Sequence, residues 1–413
     1  SGRSSHELFE AGMESIPSEN VCYPAKLAHG HLDHLLRKGI STIFYPCVTN
    51  EQQQFEAADN NFNCPVVAFY PQVLAKNVDA LREAGVRYLD PFVNLGRPDK
   101  LAERLVELFE DFDVTPEEAR EAVRLGFEED QRYKEDVRAE GRRALAYMAE
   151  HGVKGIVLAG RPYHVDPEIN HGIPEMINSL GMVVLSEDAI VDVPRLERPL
   201  RVRDQWAYHT RLYEAAAAVR HEPTLQLVQL NSFGCGIDAV TTDQVQEILE
   251  EADDVYTVLK IDEVSNLGAA TIRLRSLKAA AEERRASAEI DTAEPAVARG
   301  AHFPTFTKEA RASHTIYAPQ MAPIHFRLLM PVFQRLGYNV QLLEHAGKDD
   351  VECGLKFVNN DVCYPAIMVI GQLINVFATG QGDPTPTSDG YQSNWLHFFA
   401  LSAGATLDSR PTR

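Results

Sequence analysis

Cysteine is the residue whose type and placement in this chain could do chemistry. Val21-Cys22-Tyr23-Pro24-Ala25 recurs as Val362-Cys363-Tyr364-Pro365-Ala366, with Asn20 before the first copy and Asp361 before the second. Each copy leads into an apolar run of helical character, and a glycine follows at the same spacing, Gly30 and Gly371. Five identical residues that include Cys, Tyr and Pro are a poor accident, so the phrase reads as an internal duplication. Cys47, Cys64 and Cys235 lie at the ends of short β-rich runs. Thiolates from separate loops can hold a cubane iron–sulfur cluster, and three of them leave one iron with an exchangeable ligand. Cys22, Cys47 and Cys235 each sit in a Pro- or Gly-marked loop, where backbone amides can support sulfide and thiolate. The competing reading is plain burial, because free cysteine is among the most buried residue types. Burial weighs most on Cys64, which opens an apolar run, and Cys353 is taken as incidental. No Cys-x-x-Cys occurs, so ferredoxin, zinc-ribbon and thioredoxin spacings are absent.

A second polar constellation is Gly160-Arg161-Pro162-Tyr163-His164-Val165-Asp166, continuing to Asn170-His171-Gly172. One reading makes Arg161 and His164 substrate or proton contacts, with His171 as a further proton carrier. The other makes the stretch a loop tied by the hydrogen bonds of Asp166 and Asn170. Gly234-x-Gly236 resembles a dinucleotide turn but lacks its third glycine, and no phosphate-binding G-x-x-x-x-G-K-[ST] is present.

These residues must be positioned by elements. Lys26 to Arg37 has helical spacing with Gly39 as its stop, and Ile40 to Pro46 reads as a strand delivering Cys47 at its end. Gln52 to Asp59 reads as a polar helix, Cys64 to Tyr70 as a buried strand, and Asn77 to Ala84 as a helix. Thr115-Pro116-Glu117-Glu118 is a helix start that opens a long, charge-alternating helix to His151. Beyond it, strands at Gly155–Ala159, Met182–Leu185, Leu225–Leu230 and Tyr256–Ile261 alternate with helices at Ile173–Leu180, Asp204–Val219, Thr242–Glu250 and Ala269–Glu283. Thr315–Ala318, Pro323–Leu336 and Tyr338–Leu343 read as strand, helix, strand. Alternation of this kind means parallel pairing. In such sheets ligands bind outside the carboxyl ends of the strands, where Arg161, Cys235 and Glu263 all fall.

The expected fold class is therefore α/β, with Rossmann- or flavodoxin-like parallel-sheet lobes joined by a long helix and an internally duplicated Cys-Tyr-Pro-Ala unit. The expected organisation is a first lobe at 1–98, a helical connector at 99–151, a second lobe at 152–285, a linker at 286–305, a partial third unit at 306–376 and a disordered tail at 377–413. The first copy of the repeat lacks the strand and helix that precede the second, so the chain is expected to begin inside a longer unit. At 413 residues the chain can bury a large core. Its formal net charge of -20 disfavours nucleic acid as a partner. No signal-peptide pattern and no bilayer-length apolar stretch are seen, so a cytoplasmic, reducing compartment with free thiols is expected and no membrane association.

Longer phrases carry a resemblance. They are Asn20-Val-Cys-Tyr-Pro-Ala-Lys-Leu27, Phe44-Tyr-Pro-Cys47, Phe62-Asn-Cys-Pro65, Gly160-Arg-Pro-Tyr-His164, Asn231-Ser-Phe-Gly-Cys-Gly-Ile-Asp-Ala-Val-Thr-Thr-Asp-Gln-Val245 and Leu355-Lys-Phe-Val-Asn-Asn-Asp-Val-Cys-Tyr-Pro365. From about Ser4 to about Gln372 the chain resembles the large acyl-CoA dehydratase activase-related proteins, also called CoA-substrate-specific enzyme activases. Their relatives are the iron–sulfur subunits of 2-hydroxyacyl-CoA dehydratase and the double-cubane cluster proteins. The resemblance implies an iron–sulfur cluster, four-iron four-sulfur or double cubane, with Cys22, Cys47 and Cys235 as ligands and Cys64 and Cys363 as further candidates. It implies an ATP-hydrolysing activase module or protein as electron-donating partner, and an acyl-CoA substrate. The family's ATPase module, and the glycine-rich cysteine segment that should follow Gln372, have no match here. Two rivals stand beside this reading: a non-catalytic module that docks the activase with buried thiols, and a zinc site. Self-association as a homodimer is expected if a sheet edge is left unpaired.

Overall fold

The computed structural model describes residues 2–191, 195–198, 200–250, 254–264, 267–287, 311, 314–319, 322–344, 346–358 and 362–378. The chain forms two compact units. Unit 1 comprises 1–198, 204–233 and 245–298, and unit 2 comprises 199–203, 234–244 and 299–413.

Unit 1 opens with α1 (His6–Gly12) and α2 (Tyr23–Arg37), then β1 (Thr42–Phe44), β2 (Cys47–Asn50), α3 (Pro65–Asn77), α4 (Asp79–Glu83), β3 (Arg87–Leu89), β4 (Phe92–Asn94) and α5 (Pro98–Leu108). Two short parallel pairs, β1 with β3 and β2 with β4, make the sheet content of this part. Helix α6 (Pro116–His151) follows. Its Thr115 side chain and Glu118 cap each other's backbone, and Gly152 closes it at φ 64°. Then come β5 (Gly155–Ala159), α7 (Pro167–Asn170), α8 (Ile173–Ser179), β6 (Val183–Leu185), α9 (Glu187–Ile190), α10 (Ala207–Arg220), β7 (Leu225–Ser232), α11 (Gly236–Glu250, whose residues up to 244 belong to unit 2), β8 (Tyr256–Ile261) and α12 (Gly268–Ser287). The four strands form one parallel sheet in the order β6-β5-β7-β8. The chain reverses its direction of winding between β5 and β7, which is where open parallel sheets leave a crevice at their carboxyl ends.

Helix α2 serves two cores at once. Tyr23 and Leu27 pack with Phe9 of α1 against Ile156, Val228 and Leu259 of the four-stranded sheet. Ala25 and Leu32 pack with Ile43, Tyr70 and Leu74 of the small-sheet layer. Its ending explains how the chain leaves cleanly. Gly39, at φ 70°, donates to the Leu36 carbonyl, and Ile40 donates to the Leu35 carbonyl, satisfying the last turn.

Unit 2 contains the parallel pair β9 (Thr315–Ala318) and β10 (Asn339–Leu342), α13 (Pro323–Arg335), α14 (Lys348–Gly354) and α15 (Tyr364–Ala378). Its core joins Ala239, Val358, Val362, Ile367 and Ile370. The two Cys-Tyr-Pro-Ala phrases open helices of equal length, 15 residues each, and each follows a helix of 7 residues. In both hairpins two glycines meet at the crossing, Gly12 with Gly30 and Gly354 with Gly371.

The α/β class and parallel pairing are as the sequence indicates, and several elements differ. Cys64–Tyr70 is not a strand: Cys64 caps α3, and Pro65 takes its first position. A continuous apolar run fits a buried helix as well as a buried strand, and Pro65 decides for the helix. Gln52–Asp59 forms no helix. Cys47 begins β2 rather than ending β1, because Pro46, without an N–H, separates the two. Helix α11 starts at Gly236, six residues before Thr242. The linker expected at 286–305 falls outside the described residues except at 286 and 287, and the tail expected at 377–413 does so beyond 378. Among the described residues no helix is long and apolar enough to cross a membrane.

Candidate functional site

Four cysteines stand at helix starts. Cys22 caps α2 in extended backbone (φ -61°, ψ 151°), and its carbonyl receives the Ala25 and Lys26 amides at 3.0 and 3.2 Å. Cys64 caps α3 in the same conformation (φ -62°, ψ 153°), and its Sγ accepts the Val67 N–H at 3.4 Å. In unit 2, Cys235 immediately precedes α11 and its carbonyl receives the Ala239 amide at 3.1 Å. Cys363 immediately precedes α15 and its carbonyl receives the Ala366 amide at 2.9 Å. The first turn of a helix presents amides without intrahelical partners and the positive end of the dipole. Each of these cysteines therefore stands beside amides that can support an anionic sulfur ligand.

Cys47 is different. It is fully buried at the head of β2, and burial pushes its thiol up, partly offset by the Gln72 amide and reinforced by the Asp90 charge. Tyr45 ties it to Cys22. Burial raises the Tyr45 phenol, and the Cys47 and Cys22 sulfurs raise it further, so both thiols lie within electrostatic reach of one ring. Tyr70 is pushed up to about 12 by burial, with Cys22 and Tyr45 adding to it. Cys64 instead adds a minor electrostatic effect on Tyr208, whose hydroxyl donates to Glu51 Oε1 at 3.1 Å.

A polar cluster surrounds the start of α2. The Tyr23 hydroxyl donates to Glu168 Oε1 at 2.8 Å, and its ring stacks on His171 with centroids 6.1 Å apart. Burial and the Glu168 hydrogen bond hold Tyr23 well above the ordinary phenol range. His171 adopts the left-handed φ of 54° and donates from Nε2 to the Asp262 carbonyl at 2.7 Å. A side chain held in that region is strained and persists only where its surroundings fix it. Lys26 Nζ pairs with Glu263 Oε1 at 2.7 Å. Burial works to raise the Glu263 carboxyl, and the Lys26 ammonium, together with a backbone amide, outweighs it and leaves the group lowered. Thus the strand ends of β5 and β8 hold the first turn of the Cys22 helix from two sides.

Arg161 and His164 are both buried in the turn after β5. His164 Nδ1 accepts the Arg161 amide at 2.9 Å, and the His164 carbonyl receives Asn170 Nδ2 at 3.2 Å. A Cβ at Gly160 would overlap the His164 ring, which explains the glycine. Among the sequence-derived site residues, Cys22 and Cys47 both act electrostatically on Tyr45. Cys235 and Cys363 lie in unit 2. The donor chemistry suits a thiophilic metal, yet among the described residues no group of three or more His, Cys, Asp and Glu is placed to hold a metal ion. Sequence reasoning missed Tyr23, Lys26 and Glu168. The duplication carried a signal for Lys26: the equivalent position in the second copy is Ile367, an apolar core residue.

The first 190 residues match the family model described as CoA enzyme activase uncharacterised domain (DUF2229). No curated protein and no solved structure matches the chain.

Proposed function

We propose, from the premise that residues 1–190 form an activase-related domain, that the chain is the iron–sulfur component of a 2-hydroxyacyl-CoA dehydratase or activase type of system. Such a component takes part in ATP-driven, low-potential electron transfer in the cytoplasm. The observation that carries this reading is the repeated placement of cysteine at the first turn of a helix, at Cys22, Cys64, Cys235 and Cys363. For a four-iron four-sulfur or double-cubane cluster, unit 1 offers the thiols of Cys22, Cys47 and Cys64, and unit 2 those of Cys235 and Cys363. A bound cluster supplies one-electron chemistry whose potential follows the hydrogen bonds to its sulfurs. The chain's own residues have narrower tasks. Helix amides support the thiolates, burial keeps Cys47 from water, and Lys26 fixes the first turn of α2 against Glu263. Arg161 and His164 are the groups offered to substrate or proton. The partners of this reading are an ATP-hydrolysing activase, an acyl-CoA substrate and a second copy of the chain.

A second reading has its own support. Cys47 is buried with a raised thiol, and no three-ligand group occurs among the described residues. Both facts favour a non-catalytic module that docks the activase and keeps its thiols reduced. Anaerobic reconstitution with iron and sulfide separates the two. The first reading expects broad visible absorbance with matched iron and sulfide, lost in Cys22→Ala and Cys235→Ala. A colourless chain that still binds an activase ATPase after Cys22, Cys47, Cys64, Cys235 and Cys363 become Ser supports the docking module. One zinc per chain with no visible absorbance supports a zinc site.

A further inference from the structure

Between α2, β1 and the loop after β5, unit 1 holds a cavity of about 600 Å³ that borders the thiol side through Tyr45. Its walls are apolar: Leu32 and Leu35 from α2, Ile43 from β1 and Ile169 from α7. Its polar end is a single hydrogen-bonded relay. Ser4 Oγ donates to Asp166 Oδ2 at 2.8 Å, and His31 Nε2 lies 3.1 Å from the same Oγ. The one hydroxyl proton of Ser4 is thereby spent on Asp166, so Nε2 carries a proton and donates to Ser4. Asp166 Oδ1 accepts the Glu168 amide at 2.9 Å, which fixes the carboxylate in place. Burial holds His31 below the ordinary imidazole value, against the Asp166 charge, which pulls the other way.

The balance of charge at this end selects the ligand. Asp166 contributes one negative charge, and neither Lys nor Arg lines the cavity. A carboxylate or phosphate entering it would lose its hydration without gaining a counter-charge. We propose that this cavity binds an uncharged, mainly aliphatic or aromatic molecule whose hydrogen-bonding head lies against the Ser4–His31–Asp166 relay. The volume falls within the range of small-molecule pockets. Nothing in the proposal depends on a metal at the cysteines.

The test is isothermal calorimetry on the full chain with two probes of matched size, N-butylhexanamide and decanoate. The amide binds saturably, and decanoate binds at least roughly tenfold more weakly, a difference of about 1.4 kcal/mol. Asp166→Asn removes the charge and narrows that ratio to below about threefold. Val165, exposed at the rim, gives the blocking variant. Val165→Trp weakens the amide by about tenfold or more with the melting temperature unchanged. Absence of saturable amide binding, equal affinity for the two probes in the wild type, or unaltered amide binding by Val165→Trp would overturn the proposal.

Discussion

Gly30→Ala destabilises unit 1 by about 3 kcal/mol or more, at or beyond the upper end of ordinary overpacking. The reason is a backbone contact. A Cβ built on Gly30 overlaps the Leu8 carbonyl oxygen, and one on Gly12 overlaps the Gly30 amide nitrogen. Neither obstacle is a side chain that can swing away, so α1 and α2 must separate. Separation withdraws Phe9, Tyr23 and Leu27 from the core they share with the four-stranded sheet. It also shifts the Cys22 cap relative to Tyr45. The same substitution at Gly371 meets the Asp350 carbonyl and should lower unit 2 in the same way. Gly126, exposed on α6 with nothing near its Cβ position, is the control. There the change to Ala should stabilise by about 0.5–1 kcal/mol, because helical glycine costs entropy. Urea unfolding followed by far-ultraviolet circular dichroism reads all three variants. A Gly30→Ala protein as stable as the Gly126→Ala protein would refute the close crossing.

The second large effect is a loss of stability in mild acid, centred on His29. This residue is almost fully buried beneath the Cys22 helix. Ser15 Oγ donates to the Gly12 carbonyl at 2.9 Å and therefore accepts from His29 Nδ1 at 2.7 Å. Nε2 is left as the acceptor for the Tyr70 hydroxyl at 3.0 Å. The ring is thus built to be neutral, and burial lowers it to about 4. A histidine depressed in the folded state binds fewer protons there than in the unfolded chain. Its contribution is complete above the unfolded value near 6.5 and is lost as pH falls from there towards 4. Below that it is flat. The linked loss is at most about 3 kcal/mol. His29→Ile places in the first hairpin the residue that the second carries as Ile370. That variant should lose about 1–3 kcal/mol at pH 7, since Tyr70 and Ser15 forfeit a partner. It should also lose most of the slope between pH 6.5 and 4. Unfolding free energies at a series of pH values decide it, and an unchanged slope in the variant would assign the acid sensitivity elsewhere.

How much of this was legible depended on whether the signal was local. Strands β8 and β9 begin and end at the residues their apolar runs indicate, Tyr256–Ile261 and Thr315–Ala318. The start of α6 was readable because Thr115, Pro116 and Glu118 each have one task at a helix N-terminus. Cys64 was misplaced because its apolar run has no period to read. The Cys-Pro step it shares in kind with Cys22-Tyr23-Pro24 was the better guide. The polar cluster was harder for a different reason. Lys26 and Glu263 lie 237 residues apart, and no local pattern joins them until the sheet has brought the end of β8 to α2. Tyr23 and Glu168 are joined by the same fold-dependent route. Duplication made the cysteines conspicuous, but only the difference between the copies, Lys26 against Ile367, marked where one hairpin had acquired a charged anchor.

The central claim is that Cys22 and Cys47, both within electrostatic reach of Tyr45, are thiolate ligands to iron. Iron-edge X-ray absorption of the anaerobically reconstituted chain tests it directly. The account predicts a first shell of sulfur in the wild-type protein that loses sulfur and gains oxygen or nitrogen in the Cys22→Ser and Cys47→Ser variants, each checked for retained fold. An iron shell of oxygen and nitrogen in the wild type, or a sulfur shell indifferent to both substitutions, would contradict it.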